Sequence, residues 1–299
     1  MKSYKVGLLF GVSAYVIWGL FPLYWPLLKP SGPFEIVANR SVWTLLVCVI
    51  ALALTKQLRP TFQLMRNPTT FFKLALTSIL ISINWLVYIW GVNHGHVVEC
   101  ALGYYINPLI IIAFGVFLLK EKMRRLQWVS VGIAIVGVLV LTIDYGRPPW
   151  IALTLALSWG SYGVIKKQLA IPALMGLSIE TLISLPFYGG YLIVLANQGH
   201  SHFGHGTGLT FLLIGAGIVT AIPLLLFNGS GNRLPFTIIG LLQYITPTLQ
   251  FLIGVVVRHE KMSVASWTGF FIIWGALVTL GIDLVQSGRS SNNRVTEVR

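Results

Sequence analysis

Two charged side chains in this sequence stand where charge is expensive. Arg40 is the only basic residue within a long apolar stretch, and Glu180 is the clearest acidic one. Holding such a group in hydrocarbon costs about 2.5–3.5 kcal/mol even on the lenient insertion scale, so it is kept for a task or escapes to an interface. A guanidinium at that depth can bind an anionic group of a solute, and a carboxyl can carry a proton across. The competing reading for each is a side chain that snorkels to the membrane surface. Arg40 and Glu180 fall nearer opposite faces, which speaks against a direct ion pair between them.

Pro108 and Pro247 are the second signal, because each falls near the middle of an apolar stretch. A proline removes one backbone donor and leaves the carbonyl four residues back without its partner, here Tyr104 and Gln243. In hydrocarbon such a carbonyl must face another donor or a wet cavity. Helices interrupted at corresponding positions of two halves are the best sequence pointer to a transport site; a simple packing kink is the alternative. Around the prolines lie Tyr104, Tyr105, Asn107, Gln243, Tyr244 and Thr246. A third stretch adds Asn84, Trp85 and Tyr88, where 84 and 88 share a helix face. Trp18-Gly19 and Trp159-Gly160 complete the set. Amides and phenols hydrogen-bond a polar ligand while rings cover its apolar surface, which suits a mid-sized, uncharged or zwitterionic amphipathic solute. For any single ring the interfacial belt or helix packing is the bland alternative.

These residues need a frame, and the composition says which. The chain is 56% hydrophobic and only 10% charged, against about 25% charge in a soluble domain. With so few charges its 299 residues cannot cover a globular surface, so lipid is the solvent. The net charge of +13 reflects basic cytoplasmic loops rather than nucleic-acid binding. Cys48 and Cys100 sit in apolar runs and read as small core residues, neither a disulfide framework nor a metal pattern. Spans of about 20 residues are predicted at 6–28, 35–55, 71–93, 98–119, 126–143, 148–166, 174–197, 208–231, 235–257 and 263–284.

The stretch Ala101 to Asp144 returns without a gap as Gly240 to Asp283, pairing Tyr105 with Tyr244, Pro108 with Pro247, Glu121 with Glu260, Trp128 with Trp267 and Asp144 with Asp283. A repeat in a membrane chain is its architectural unit. Sixteen Lys and Arg residues fall on the N-terminal side of the membrane and four on the other, which predicts both termini in the cytoplasm. Five spans per half is an odd number, so the second half runs upside down. The loops agree: Arg124 and Arg125 of the cytoplasmic loop become Ser263 and Val264 outside.

The stretches Ala14–Leu27 (AYVIWGLFPLYWPL), Glu35–Trp43 (EIVANRSVW) and Asn84–Pro108 resemble the drug/metabolite transporter superfamily, EamA type, and within it the RarD branch. The resemblance covers nearly the whole chain. It implies a bacterial inner-membrane carrier working in the direction of export, and it supplies no ligand residues.

No Walker loop, GxGxxG, HExxH, GxSxG or CxxC is present, so ATP-driven transport within this chain is not expected. All six histidines map to the outer face; the Gly199–Gly206 segment GHSHFGHG reads as a solvated loop in preference to a weak Ni²⁺ or Zn²⁺ site. The predicted molecule is an all-α polytopic membrane protein of two inverted five-helix repeats, 1–144 and 145–285, with a disordered cytoplasmic tail at 286–299. Its expected partners are a small-molecule solute and membrane lipid, without nucleic acid, cofactor or metal; proton coupling and a homodimer are compatible with it. The expected site comprises Trp18, Arg40, Asn84, Trp85, Tyr88, Tyr104, Tyr105, Asn107, Gln243 and Tyr244, with Glu180 for coupling and helix breaks at Pro108 and Pro247. The rival readings are a non-transporting sensor or partner subunit and, further off, an intramembrane enzyme.

Overall fold

The computed structural model describes residues 2–119, 124–231, 233–234, 238–239 and 242–296, and among them every regular element is helical. The Glu121–Met123 copy of the repeated tripeptide and the beginning of the ninth span lie outside the described residues. The helices are α1 (Lys2–Gly19), α2 (Phe21–Tyr24) with a 3₁₀ turn at Trp25–Leu28, α3 (Pro33–Leu54), α4 (Leu58–Leu64), α5 (Pro68–Asn93) and α6 (Val97–Leu119). There follow α7 (Arg125–Tyr145), α8 (Trp150–Leu169), α9 (Ala173–Asn197), α10 (Thr207–Gly231), α11 (Ile245–Leu252) closing in a π turn at Ile253–Val257, and α12 (Val264–Thr296).

Local chemistry sets the ends. α3 starts on Gly32 with Pro33 in its first turn, and α5 on Asn67, whose side chain accepts the Thr70 N–H at 3.1 Å, again with proline following. α7 stops at Gly146, where φ is +63°. α12 continues to Thr296, where the sequence predicts a disordered tail from Gln286. No proline in that stretch halts the helix.

Among the described residues, seven helices are long and apolar enough to cross a membrane: Tyr4–Leu28, Pro33–Leu54, Pro68–Asn93, Arg125–Tyr145, Ala173–Asn197, Thr207–Gly231 and Val264–Asp283. The sequence predicts ten. The apolar helices Val97–Ile110 and Ile245–Val257 are shorter among the described residues. α8, though 20 residues long, carries Ser158, Gly160, Ser161, Lys166 and Lys167. It packs between α5 and α6, so Ser158 and Gly160 are buried against protein, while Lys167 is exposed.

The helix partners follow a pattern. α3, α6 and α7 pack on α9, α11 and α12 respectively. α1 packs on α10 and α11, while α8 packs on α5 and α6; α3 packs on α10, while α5 packs on α9. Exchanging the first five long elements for the second five returns the same set of pairs. Small residues let the backbones close in, as they must where lipid removes the hydrophobic drive between helices. A Cβ on Gly217 of α10 would lie 2.7 Å from the Thr44 nitrogen of α3, and one on Gly103 of α6 2.8 Å from the Ala152 carbonyl of α8.

Candidate functional site

Arg40 is the eighth residue of α3 and is only 4% exposed. Its Nε donates to the Thr220 hydroxyl of α10 at 2.9 Å. Three rings surround the guanidinium: Trp85 at 4.0 Å, Trp25 at 4.9 Å and Phe21 at 5.7 Å from their centroids. Such faces attract a cation through the ring quadrupole, and a desolvated contact is worth about 2 kcal/mol. Tyr88, Tyr104 and Tyr188 are its electrostatic neighbours. No carboxylate among the described residues is paired with it.

Asn84 continues this cluster. Its Nδ2 donates to the Leu155 carbonyl at 3.1 Å and the Ser158 hydroxyl at 3.0 Å of α8, and its Oδ1 accepts from Tyr104 at 3.2 Å. The Tyr104 ring stands edge-on to Tyr88 at 5.7 Å and to Trp159 at 6.5 Å. Among the described residues the Tyr88 hydroxyl and Asn107 Oδ1 are buried without a hydrogen-bond partner, a state that costs about 1–3 kcal/mol per group unless water or ligand fills it.

Glu180 is the eighth residue of α9 and forms a different centre. Its carboxylate accepts from Thr77 at 2.8 Å, Lys166 at 3.0 Å and Tyr162 at 3.1 Å, and its carbonyl accepts from Ser78 at 2.7 Å. Lys166, not Arg40, is its cation, with side-chain exposures of 14% and 0%. The two centres are formed alike. Phe21 and Trp25 beside Arg40 stand 141 residues before Tyr162 and Lys166 beside Glu180, and Arg40 stands 140 before Glu180.

The end of the molecule that carries Glu35 is laced by carboxylates. Glu35 accepts from the His202 N–H at 2.7 Å and meets His202 Nδ1 at 2.8 Å. Glu99 pairs with Arg147 at 2.9 Å and accepts the Ile151 N–H at 3.1 Å; the pairing holds Arg147 above the usual arginine value. Glu260 accepts the Val97 and Val98 N–H groups at 2.6 and 2.9 Å, at the start of α6. Burial pushes the Glu260 carboxyl above the usual carboxylate range, against the pull of those N–H groups. The same end holds a cavity of about 560 Å³, lined by Pro26, Lys29, Ser31, Asn93, His94 and Arg258 among others. At the opposite end Arg124 forks onto Asp283, with Nε 2.9 Å from each oxygen.

The predicted site residues do not form one group. Arg40, Asn84, Trp85, Tyr88 and Tyr104 come together. Tyr105 turns to the other side of α6, donating to Thr248 at 3.0 Å and packing on Phe270 and Trp274, with Tyr244 on the same apolar cluster. Trp18 packs on Tyr15 and Phe227, and its carbonyl accepts from Gln250. Gln243 lies in the turn before α11, its N–H bonded to the Ile239 carbonyl at 3.1 Å. Pro108 does not break its helix: α6 runs through it unbroken, since neighbours can re-satisfy the one freed carbonyl. Pro247 is the third residue of α11, just past that turn. Sequence reading missed Phe21, Trp25 and Thr220 around Arg40, and Thr77, Tyr162 and Lys166 around Glu180. The i, i+4 spacing of 21/25 and 162/166 was the available signal.

A family model described as the EamA-like transporter family matches the chain twice, over residues 5–143 and 148–282. Protein RarD of Streptomyces exfoliatus is 49% identical over 292 residues, covering 97% of this chain and 93% of that protein. A Bacillus subtilis protein named uncharacterized transporter YojE is 42% identical over 294 residues, 97% of this chain and 98% of that one. Protein RarD of Escherichia coli is 39% identical over 292 residues, 97% and 99% of the two chains. A solved structure described only as a crystal structure of a protein matches with a TM-score of 0.59 at 18% identity, over 93% of this chain and 97% of that one. That likeness concerns the fold alone.

Proposed function

Because the chain belongs to the EamA-like transporter family, in its RarD branch, we propose that it exports a small amphipathic solute across the bacterial inner membrane by alternating access. Family and apolar helices make it a multi-pass membrane protein; substrate, direction and mechanism are our reading. The observation that carries it is the exchange pattern of helix contacts. The pairings of α1 with α10 and α11 and of α3 with α10 have their counterparts in those of α8 with α5 and α6 and of α9 with α5, which supports two related repeats of opposite topology.

Such repeats rock about the elements that pair with their own counterparts, α3 with α9, α6 with α11 and α7 with α12. The Arg40 cluster lies near one end of α3 and the Glu180 cluster near the start of α9, so each half presents one charged centre toward its own face. The Tyr88 hydroxyl and Asn107 Oδ1, buried without partners, supply polar atoms for a solute. Glu180, held by a lysine and two hydroxyls, is the group we assign to proton coupling. The sixteen-to-four split of basic residues supports cytoplasmic termini.

The test is metabolite profiling of a deletion strain against an overexpressor, followed by flux in proteoliposomes. A compound retained by the first, shed by the second and moved by the purified protein is the expected result. Identical profiles together with proteoliposomes that move none of the candidate compounds would refute the reading.

A further inference from the structure

We propose that the solute carries a net negative charge, as a carboxylate or phosphate group. It enters or leaves through the Lys29/Arg258 cavity and is received by Arg40, for which it is the missing counter-ion. The inference rests on the transporter reading and names the chemical class of its solute.

The first ground is the contrast between the two centres. Glu180 has its cation built in, Lys166 at 3.0 Å. Arg40 occupies the matching place with Trp25 where Lys166 would correspond, so an aromatic face stands where the other half has a charge. Among the described residues only Nε of Arg40 is hydrogen-bonded, to Thr220, and neither terminal nitrogen has a hydrogen-bond partner. A guanidinium presents five donors in a planar fork suited to carboxylate or phosphate. Here the rings desolvate the cation while the fork stays unused. The Tyr88 hydroxyl, also unpartnered, is an electrostatic neighbour of the same group and adds a donor.

The second ground is the cavity. Its lining includes Lys29, Arg258 and His94 and no Asp or Glu. The carboxylates of that end are engaged elsewhere: Glu35 on His202, Glu99 on Arg147, and Glu260 on the Val97 and Val98 N–H groups. Glu260 is an electrostatic neighbour of Arg258 yet does not line the cavity. A recess walled by one sign of charge concentrates counter-ions of the other. Ser31 Oγ and Asn93 Oδ1, both in lining residues, have no hydrogen-bond partner among the described residues.

The two places are neighbours. Pro33 lines the cavity and Arg40 lies seven residues further along α3, about 10 Å at 1.5 Å per residue. Trp85, Tyr88 and Val92 form one face of α5 and lead from the guanidinium to the cavity wall. The segment between them is the turn Phe21–Leu28, where Pro22 and Pro26 withhold backbone donors. Arg258 pins that turn by donating to the Pro22 carbonyl at 3.1 Å. An anion that engages Arg258 competes with this carbonyl and frees the turn.

The experiment uses the purified full chain in detergent at constant ionic strength. Phenylacetate and inorganic phosphate are the anionic probes; phenylacetamide and phenethylamine are the neutral and cationic isosteres of the first. Thermal protection is read from the reaction of a thiol dye with the buried Cys48 and Cys100. We expect protection by at least one anion and none by the amide or amine. Its half-saturating concentration should rise roughly tenfold or more in Arg40→Gln, with partial rescue in Arg40→Lys. Lys29→Gln with Arg258→Gln, at exposed positions, should raise it severalfold and flatten its salt dependence, whether or not Arg40→Gln folds. The proposal falls if neither anion protects the wild type, if amide or amine protects as well as phenylacetate, or if no variant shifts the anion's half-saturation. Proteoliposome flux separates the two readings. Arg40-dependent protection without flux of the protecting anion leaves the anion seat standing and counts against the transporter; flux of phenylacetamide that survives Arg40→Gln sinks the seat alone.

Discussion

Removing Lys166 should harm this protein more than removing Glu180, although the two form one ion pair. Lys166→Met leaves a carboxylate with 0% side-chain exposure and only the Thr77 and Tyr162 hydroxyls to hold it. Stripping a buried charge of its partner costs about 3–5 kcal/mol. Glu180→Gln leaves a lysine in the last turn of α8, 14% exposed, whose stem can carry its ammonium to the interface. The cost there is the loss of charge-assisted bonds, partly restored by the amide oxygen, about 1–2 kcal/mol. The double variant strands no charge, so it should be milder than Lys166→Met alone, with a coupling energy of about 2–3 kcal/mol. Thermal unfolding read from dye reaction at Cys100 measures all three, in a Cys48→Ala background because Cys48 lies beside Ser178 and Glu180. Gly176→Ala is an independent check, since a Cβ there collides with the Lys166 ammonium and should act as a weaker Lys166→Met. Additive single effects, or a Lys166→Met no worse than Glu180→Gln, would refute the reasoning.

If Glu180 carries the coupled proton, Glu180→Gln keeps the protein inserted but makes vesicle transport indifferent to an imposed pH gradient; retained coupling assigns Glu180 a structural role. Gly217→Leu should prevent α3 and α10 from packing, because a Cβ there already lies 2.6 Å from Trp43 Cβ and 2.7 Å from the Thr44 nitrogen. Gly163→Leu, with nothing within 4 Å of the added Cβ, should be silent in the same size-exclusion and melting assays. In a Cys48/Cys100-free background, an impermeant thiol reagent should label a cysteine at exposed position 203 from outside intact cells, and not one at exposed position 63; labelling of 63 sinks the proposed orientation. Glu260 has a folded-state pKa above its ordinary 4.5, so its contribution to stability is full below that value and lost as pH rises through the folded-state one. Melting temperatures across that window should therefore show wild type losing ground to Glu260→Gln with rising pH.

The multi-pass helical character of this protein was open to sequence reading because hydrocarbon imposes a simple demand, apolar length for a span. α8 is less apolar than the other long helices because of its serines, glycines and lysines, and what its sequence does not display is that it packs against α5 and α6. The charged centres were legible one residue at a time, since Arg40 and Glu180 stand out in apolar surroundings. Their partners were not. Phe21 and Trp25 look like any span residues until a guanidinium is placed over them, and Lys166 reads as a loop cation until its stem is seen to return along α9 past Gly176. Tyr104 and Tyr105 are adjacent in sequence but about 100° apart on the helix, so one meets Asn84 and the other Thr248. At position 108 proline withholds one N–H, yet α6 runs on through it.

The contacts of α3 with α9, α6 with α11 and α7 with α12 join each element to its own counterpart. Each such contact is made by two elements of unlike sequence, and the two ends of α7 and α12 differ accordingly. Arg124 now grips Asp283 as an ion pair at one end. At the other, Ser263, in the place that corresponds to Arg124, donates only a hydroxyl to Asp144 at 2.7 Å. A substitution in one of these elements changes one side of the contact and leaves the other as it is. Such positions are therefore free to diverge one step at a time, and opposite charges at Arg40 and Glu180 are what that freedom allows.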